Sequence, residues 1–112
     1  MLRVLARVGA SAGIWVVASS LALGQAKTDA SDAQRKADLV LAYKILVNEG
    51  VLDSFGHVTV RSAKDPTIFF MPRAMPPSLV SLEDILELRV ADSQAMDPNG
   101  RRVNGERYIH VR

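Results

Sequence analysis

Residues 31–61, SDAQRKADLVLAYKILVNEGVLDSFGHVTVR, decide the fold. Ser31-Asp32-Ala33-Gln34 has the form of a capping box, with the Ser31 hydroxyl accepting from the third helical amide and Gln34 reaching back. From Ala37 to Val47 only Asp38 and Lys44 are charged, and Gly50 supplies a left-handed stop. The spacing predicts a helix whose apolar side chains cover more of its circumference than one amphipathic stripe requires. Such a helix calls for cover on two sides, from a sheet and from another layer or subunit. After Gly56 the pattern shifts to Val58-Thr59-Val60, a short β-rich run.

Moving toward the C-terminus, Thr67 to Met71 (TIFFM) reads as a second strand closed by Pro72. Pro76-Pro77 breaks the chain, and Ser81-Leu82-Glu83-Asp84 has the form of one helical turn capped by Ser81. Ile85 to Ala91 alternates as a strand, setting Ile85, Glu87 and Arg89 against Leu86, Leu88 and Val90. Asp97-Pro98-Asn99-Gly100 is a turn, because Pro presets φ and Asn-Gly tolerates positive φ. Gly105 to Arg112 reads as the start of another helix. This order implies an α/β domain with local, mainly antiparallel pairing.

Toward the N-terminus, Met1 to Arg7 is short and basic, and Val8 to Leu23 (VGASAGIWVVASSLAL) carries no charge. Small residues alternate at Ala22-Leu23-Gly24 and at Gly24-Gln25-Ala26. That is the order of a secretory signal peptide, residues 1–24, with cleavage expected after Gly24 or Ala26 and export to the periplasm or medium. A spanning anchor is the weaker reading, since the uncharged run falls short of the ~20 apolar residues a bilayer needs. Residues 25–30 (QAKTDA) form a polar linker, and residues 31–112 form the domain.

Composition removes several function classes. The chain has 14 basic and 12 acidic residues, and every acid lies from Asp29 onward. Without Arg3 and Arg7 the remainder is close to neutral, so nucleic acid is not an expected partner. There are no cysteines, which excludes disulfide staples and thiolate chemistry. No Gly-x-Ser-x-Gly elbow, dinucleotide fingerprint or phosphate-binding P-loop occurs.

The chemistry-bearing residues are few. His57 and His110 are the only histidines. With a carboxylate such as Glu106 they could meet, although nothing in their spacing requires it, and a catalytic zinc site normally takes three protein ligands. Gly56-His57-Val58-Thr59-Val60-Arg61 has the makings of an anion cradle: glycine admits close backbone approach, Thr59 offers a hydroxyl and Arg61 a fork of donors. A strand with its polar residues in water is the simpler account of the same residues. Glu106 follows Gly105 at an apparent helix start, where a carboxylate is favoured for stability alone. Arg73, in irregular chain between prolines, could meet an anionic substrate or simply be solvated.

Four blocks, Ala42 to Gly50, Phe55 to Arg61, Ser81 to Ile85 and Glu106 to His110, together resemble the class II aldolase/adducin family in order and approximate spacing. The resemblance covers residues 38–110 and matches the opening part of a family domain. It implies an α/β/α domain with a largely antiparallel sheet, usually in tetramers. It implies a divalent metal, commonly zinc, that stabilises an enediolate during aldol cleavage, epimerisation or decarboxylation. Glu106 matches the catalytic carboxylate that moves a proton, and Gly56 and Thr59 match positions that bind the substrate's phosphate or carboxylate end.

Two departures bear on substrate. His57 stands where phosphate-binding members commonly have Asn, and Met71-Pro72-Arg73-Ala74 stands where they have a Ser/Gly-rich loop. A small non-phosphorylated carboxylate is therefore the expected ligand, with Gly56, His57, Thr59, Arg61 and Arg73 as candidate contacts. The family's metal-binding His-x-His would lie beyond residue 112, so no metal ligand is assigned within the chain. The expectation is the front of a metal-dependent lyase, inactive alone and homo-oligomeric when complete. An adducin-like interaction domain and an exported carboxylate-binding protein are the alternatives.

Overall fold

In a computed structural model, which describes residues 31–112, Ser31 opens the helix α1, Asp32–Asn48. The signal peptide and linker expected at residues 1–30 lie outside the described residues. The Ser31 hydroxyl accepts from the Gln34 amide at 3.2 Å, as the sequence implies. Gln34 does not complete the box: its side-chain amide donates instead to Asp38 at 2.8 Å, one turn on. Asp32 ties the helix start to the sheet, accepting from the Ser62 hydroxyl and the Ala63 amide. Gly50 follows with φ +68°, the left-handed stop its position predicts.

Three strands form one antiparallel sheet in the order β1-β2-β3: Val60–Arg61, Ile68–Pro72 and Ile85–Arg89. β2 is central, pairing with β1 through Val60↔Phe70 and with β3 from Ile68↔Arg89 to Pro72↔Ile85. The strand period of two sends alternate side chains to opposite faces. Phe70 and Ile85 join Leu39, Val40, Tyr43 and Val80 beneath the helix. Phe69, Met71, Leu86 and Leu88 pack on the other face, with Val90, Ala95, Val103 and Val111 partly covering them. Glu87 lies on the helix side, bonded to Lys36 at 2.6 Å, and the Lys36 ammonium sits 4.7 Å from the centre of the Phe70 ring. The alternation predicted for Ile85 to Val90 is the one observed.

β1 is shorter than the β-rich run suggested, and Tyr43 explains why. Its hydroxyl donates to the Val58 carbonyl at 3.1 Å and accepts from the Val58 amide at 2.8 Å. The two backbone groups that a ladder would need at Val58 are thus committed to a helix side chain. Tyr43 is 2% exposed, so the bond is made in a poorly hydrated setting. Tyr43→Phe should cost about 1–3 kcal/mol, the usual range when buried partners are left unpaired. Denaturant titration checks this, and a loss below about 0.5 kcal/mol would show that water replaces the hydroxyl freely.

The turn at residues 97–100 forms as read, with φ of 47° at Asn99 and 72° at Gly100, and the Arg101 amide donating to Pro98. The chain then returns along the sheet, where the Ala74 amide donates to the Arg102 carbonyl at 2.8 Å. A 3-10 helix, Gly105–Val111, ends the described chain, capped by Asn104, whose side chain accepts from the Glu106 amide at 2.9 Å. The outer side of α1 keeps Leu41 and Ile45 about half exposed, so cover is seen on one side of this helix among the described residues. No helix among these residues is long and apolar enough to cross a membrane.

Candidate active site

Gly56 holds a backbone geometry that other residues rarely adopt. Its φ is +108°, and a Cβ at this position would fall 2.4 Å from Leu52 Cδ2. This bend sends the next residue, His57, inward, where its side chain is 17% exposed. The Tyr43 clasp on Val58 fixes the following peptide, so helix α1 sets the site's first wall.

The second wall comes from the 3-10 helix. Glu106 Oε2 lies 3.4 Å from His57 Nε2, an ion-pair distance when the imidazole is protonated and slightly longer than a formed hydrogen bond. The Glu106 side chain remains 64% exposed and faces open space. One turn on, His110 Nδ1 is 3.1 Å from Thr59 Oγ1, and the His57 and His110 rings meet edge to face with centroids 5.7 Å apart. Partial burial lowers the His110 pKa below the ordinary histidine value, and His57 adds to this while Glu106 opposes it. Residues some fifty positions apart in sequence therefore converge as Thr59–His110–His57–Glu106.

A cavity of about 490 Å³ opens in front of this group. Its lining combines the polar side chains of His57, Arg102, Asn104 and Glu106 with the apolar Phe55, Ala74, Met75, Pro76 and Pro77. That volume suits a small organic molecule. In another hollow, Lys36 is bonded to Glu87, and Arg101 to the carbonyls of Glu83, Asp97 and Pro98.

Of the residues singled out from sequence, Gly56, His57 and Glu106 line this cavity, and Thr59 is joined to it through His110. Arg61 and Arg73 are placed elsewhere. The Arg61 guanidinium donates to the Pro66 carbonyl at 2.8 Å. Arg73 Nε donates to Asp84 Oδ1 at 2.7 Å, and Asp84 also accepts from the Ser81 amide and hydroxyl. Burial raises the Asp84 pKa, but these hydrogen bonds outweigh it and hold the carboxyl below its usual range. Arg102 and the Met75–Pro77 wall carry no sequence signal of their own: Arg102 follows another arginine after a turn, outside any periodic run.

The donor set does not suit a divalent ion. No group of three or more His, Asp or Glu side chains poised to hold a metal occurs among the described residues. His110 directs one ring nitrogen to Thr59, and Glu106 approaches His57 itself, so the imidazoles and carboxylate do not converge on a common point. His57, Glu106 and Arg102 are the ionisable side chains among the described residues that line this cavity.

No family model matches the chain. Among curated proteins it is similar to the decarboxylase tropJ of Talaromyces stipitatus, with 37% identity over 67 residues. The match takes in 59% of this chain and 25% of that protein, so the chain spans about a quarter of the curated relative's length.

Proposed function

We propose that this chain is the front part of a class II aldolase-like lyase, with Glu106 and His57 as the acid–base pair acting on a small carboxylate-bearing substrate. The observation that carries the reading is their approach to 3.4 Å at the mouth of one cavity, with Gly56 bending the chain to admit His57. The 37% identity to a decarboxylase supports a lyase-like chemistry. In this reading Glu106 moves a proton at the reacting carbon, His57 receives or returns it, and the apolar wall keeps water from that end of the ligand. A divalent ion of the kind the family implies finds no three-ligand set among the described residues. Export through residues 1–24 and assembly into an oligomer through the outer face of α1 belong to the same proposal.

A chimera tests it. Residues 31–112 of this chain replace the corresponding stretch of the Talaromyces decarboxylase, so that His57 and Glu106 are both carried over, and carbon dioxide release from that enzyme's own substrate is followed. Retention of turnover well above background is the expected result. A folded chimera without turnover would refute the reading. The chain alone is expected to show no turnover and no zinc surviving dialysis.

A further inference from the structure

Among the described residues Arg102 is the one permanent cation that lines the cavity. By contrast, Arg73, Arg101 and Arg107 each donate to a carboxylate or to backbone carbonyls. The Arg102 side chain makes no hydrogen bond or ion pair among the described residues, not even with Glu106 across the same cavity. Its backbone is nonetheless pinned, because the Arg102 carbonyl accepts from the Ala74 amide at 2.8 Å. That bond joins Arg102 to the segment that continues into Met75, Pro76 and Pro77, so the charge and the apolar wall are fixed to one another.

We infer that Arg102 anchors the ligand's carboxylate, while Phe55, Met75, Pro76 and Pro77 receive an apolar body attached to it. The inference rests on the acid–base reading of the same cavity and adds the direction in which the substrate lies. A guanidinium matches a carboxylate with two parallel donors. The carboxylate of Glu106 repels an anion, so a bound acid turns its charged end toward Arg102 and its reacting carbon toward Glu106 and His57. Phe55, 82% exposed, is a large apolar surface that such a body would cover. The substrate class is thus a hydroxy or oxo acid bearing a compact apolar group, rather than a small, fully polar acid.

Mandelate, its uncharged amide mandelamide, and lactate are the probes, titrated into the ¹⁵N-labelled full chain while the amides of Gly56, Gly105 and Glu106 are observed. Mandelate should shift these amides saturably, and lactate, lacking the ring, should bind more weakly. Arg102→Gln should weaken mandelate at least about ten-fold, the usual scale for a lost charged hydrogen bond, with Arg102→Lys intermediate. Arg61→Gln, remote from the cavity, should change it less than two-fold, and mandelamide should resemble the Arg102→Gln case. Retained amide dispersion in each variant verifies the fold. Equal mandelate affinity in Arg102→Gln, or equal binding of mandelamide, overturns the inference and leaves the acid–base pair standing. No shift by mandelate in the unaltered chain overturns the cavity as a carboxylate site, and the inference with it. Arg102-dependent binding beside an inert chimera would instead sink the acid–base reading alone.

Discussion

Phe70→Ala should remove about 3–5 kcal/mol of stability, the usual cost of deleting a buried phenyl ring. Phe70 is 1% exposed on the central strand and belongs to the cluster that joins the sheet to α1 through Leu39, Val40 and Tyr43. Its ring also lies under the Lys36 ammonium, whose other partner is Glu87 on β3. The truncation therefore opens a cavity and withdraws a cation–π contact at the same point. A domain of this size commonly holds about 5–10 kcal/mol in total, so the variant should keep about half of it or less and unfold at a much lower denaturant concentration. Phe55→Ala, at an exposed position, should cost less than about 0.5 kcal/mol. Denaturant midpoints for the two variants provide the test, and similar losses for both would contradict the packing described.

The contrast between these phenylalanines shows how much of the fold was legible. Ser31 and Gly50 bound the helix because capping and positive φ are local requirements that the sequence states directly. The alternation from Ile85 to Val90 is equally local, and the sheet reproduces it. Gln34 does not reach back to the cap because its side chain is engaged forward, donating to Asp38 one helical turn away. β1 contracted to Val60–Arg61 because Tyr43 took both backbone groups of Val58, a contact across fifteen residues that no β-propensity could announce. Two-sided cover for α1 was inferred from composition, and the described residues supply one side.

The site was legible in pieces and not as an assembly. Gly56 could be read as a bend, but its approach to Leu52 depends on the loop that returns from the helix. Glu106 drew attention through a family resemblance, since an acid at a helix start is unremarkable by itself. Its meeting with His57 is a tertiary contact between segments some fifty residues apart. Arg73 was a plausible anion contact while it looked like a loop cation. The register Pro72↔Ile85 brings residues 73 and 84 opposite one another, and that pairing gives Arg73 to Asp84. The same antiparallel ladder leaves Arg102, bonded through its carbonyl to Ala74, as the cation that reaches the cavity.

Glu106→Gln in the chimera should lower carbon dioxide release by about 10²–10⁴-fold, the range that general acid–base catalysis commonly contributes. Glutamine keeps the size and the approach to His57 but cannot carry the proton. The local fold should survive, because the Glu106 backbone amide is held by Asn104 and the side chain is largely exposed. The loss should therefore fall on kcat, with the melting temperature nearly unchanged. A merely structural Glu106 would give the opposite pattern, a lower melting temperature and little change per folded molecule. His57→Asn removes the imidazole but keeps a polar side chain, and it separates the two members of the pair. If the imidazole shares the proton, this variant loses turnover and its pH profile shifts, whereas a purely steric His57 leaves the profile in place. Full turnover by Glu106→Gln would mean that the 3.4 Å approach is incidental and that the proton is moved by another group.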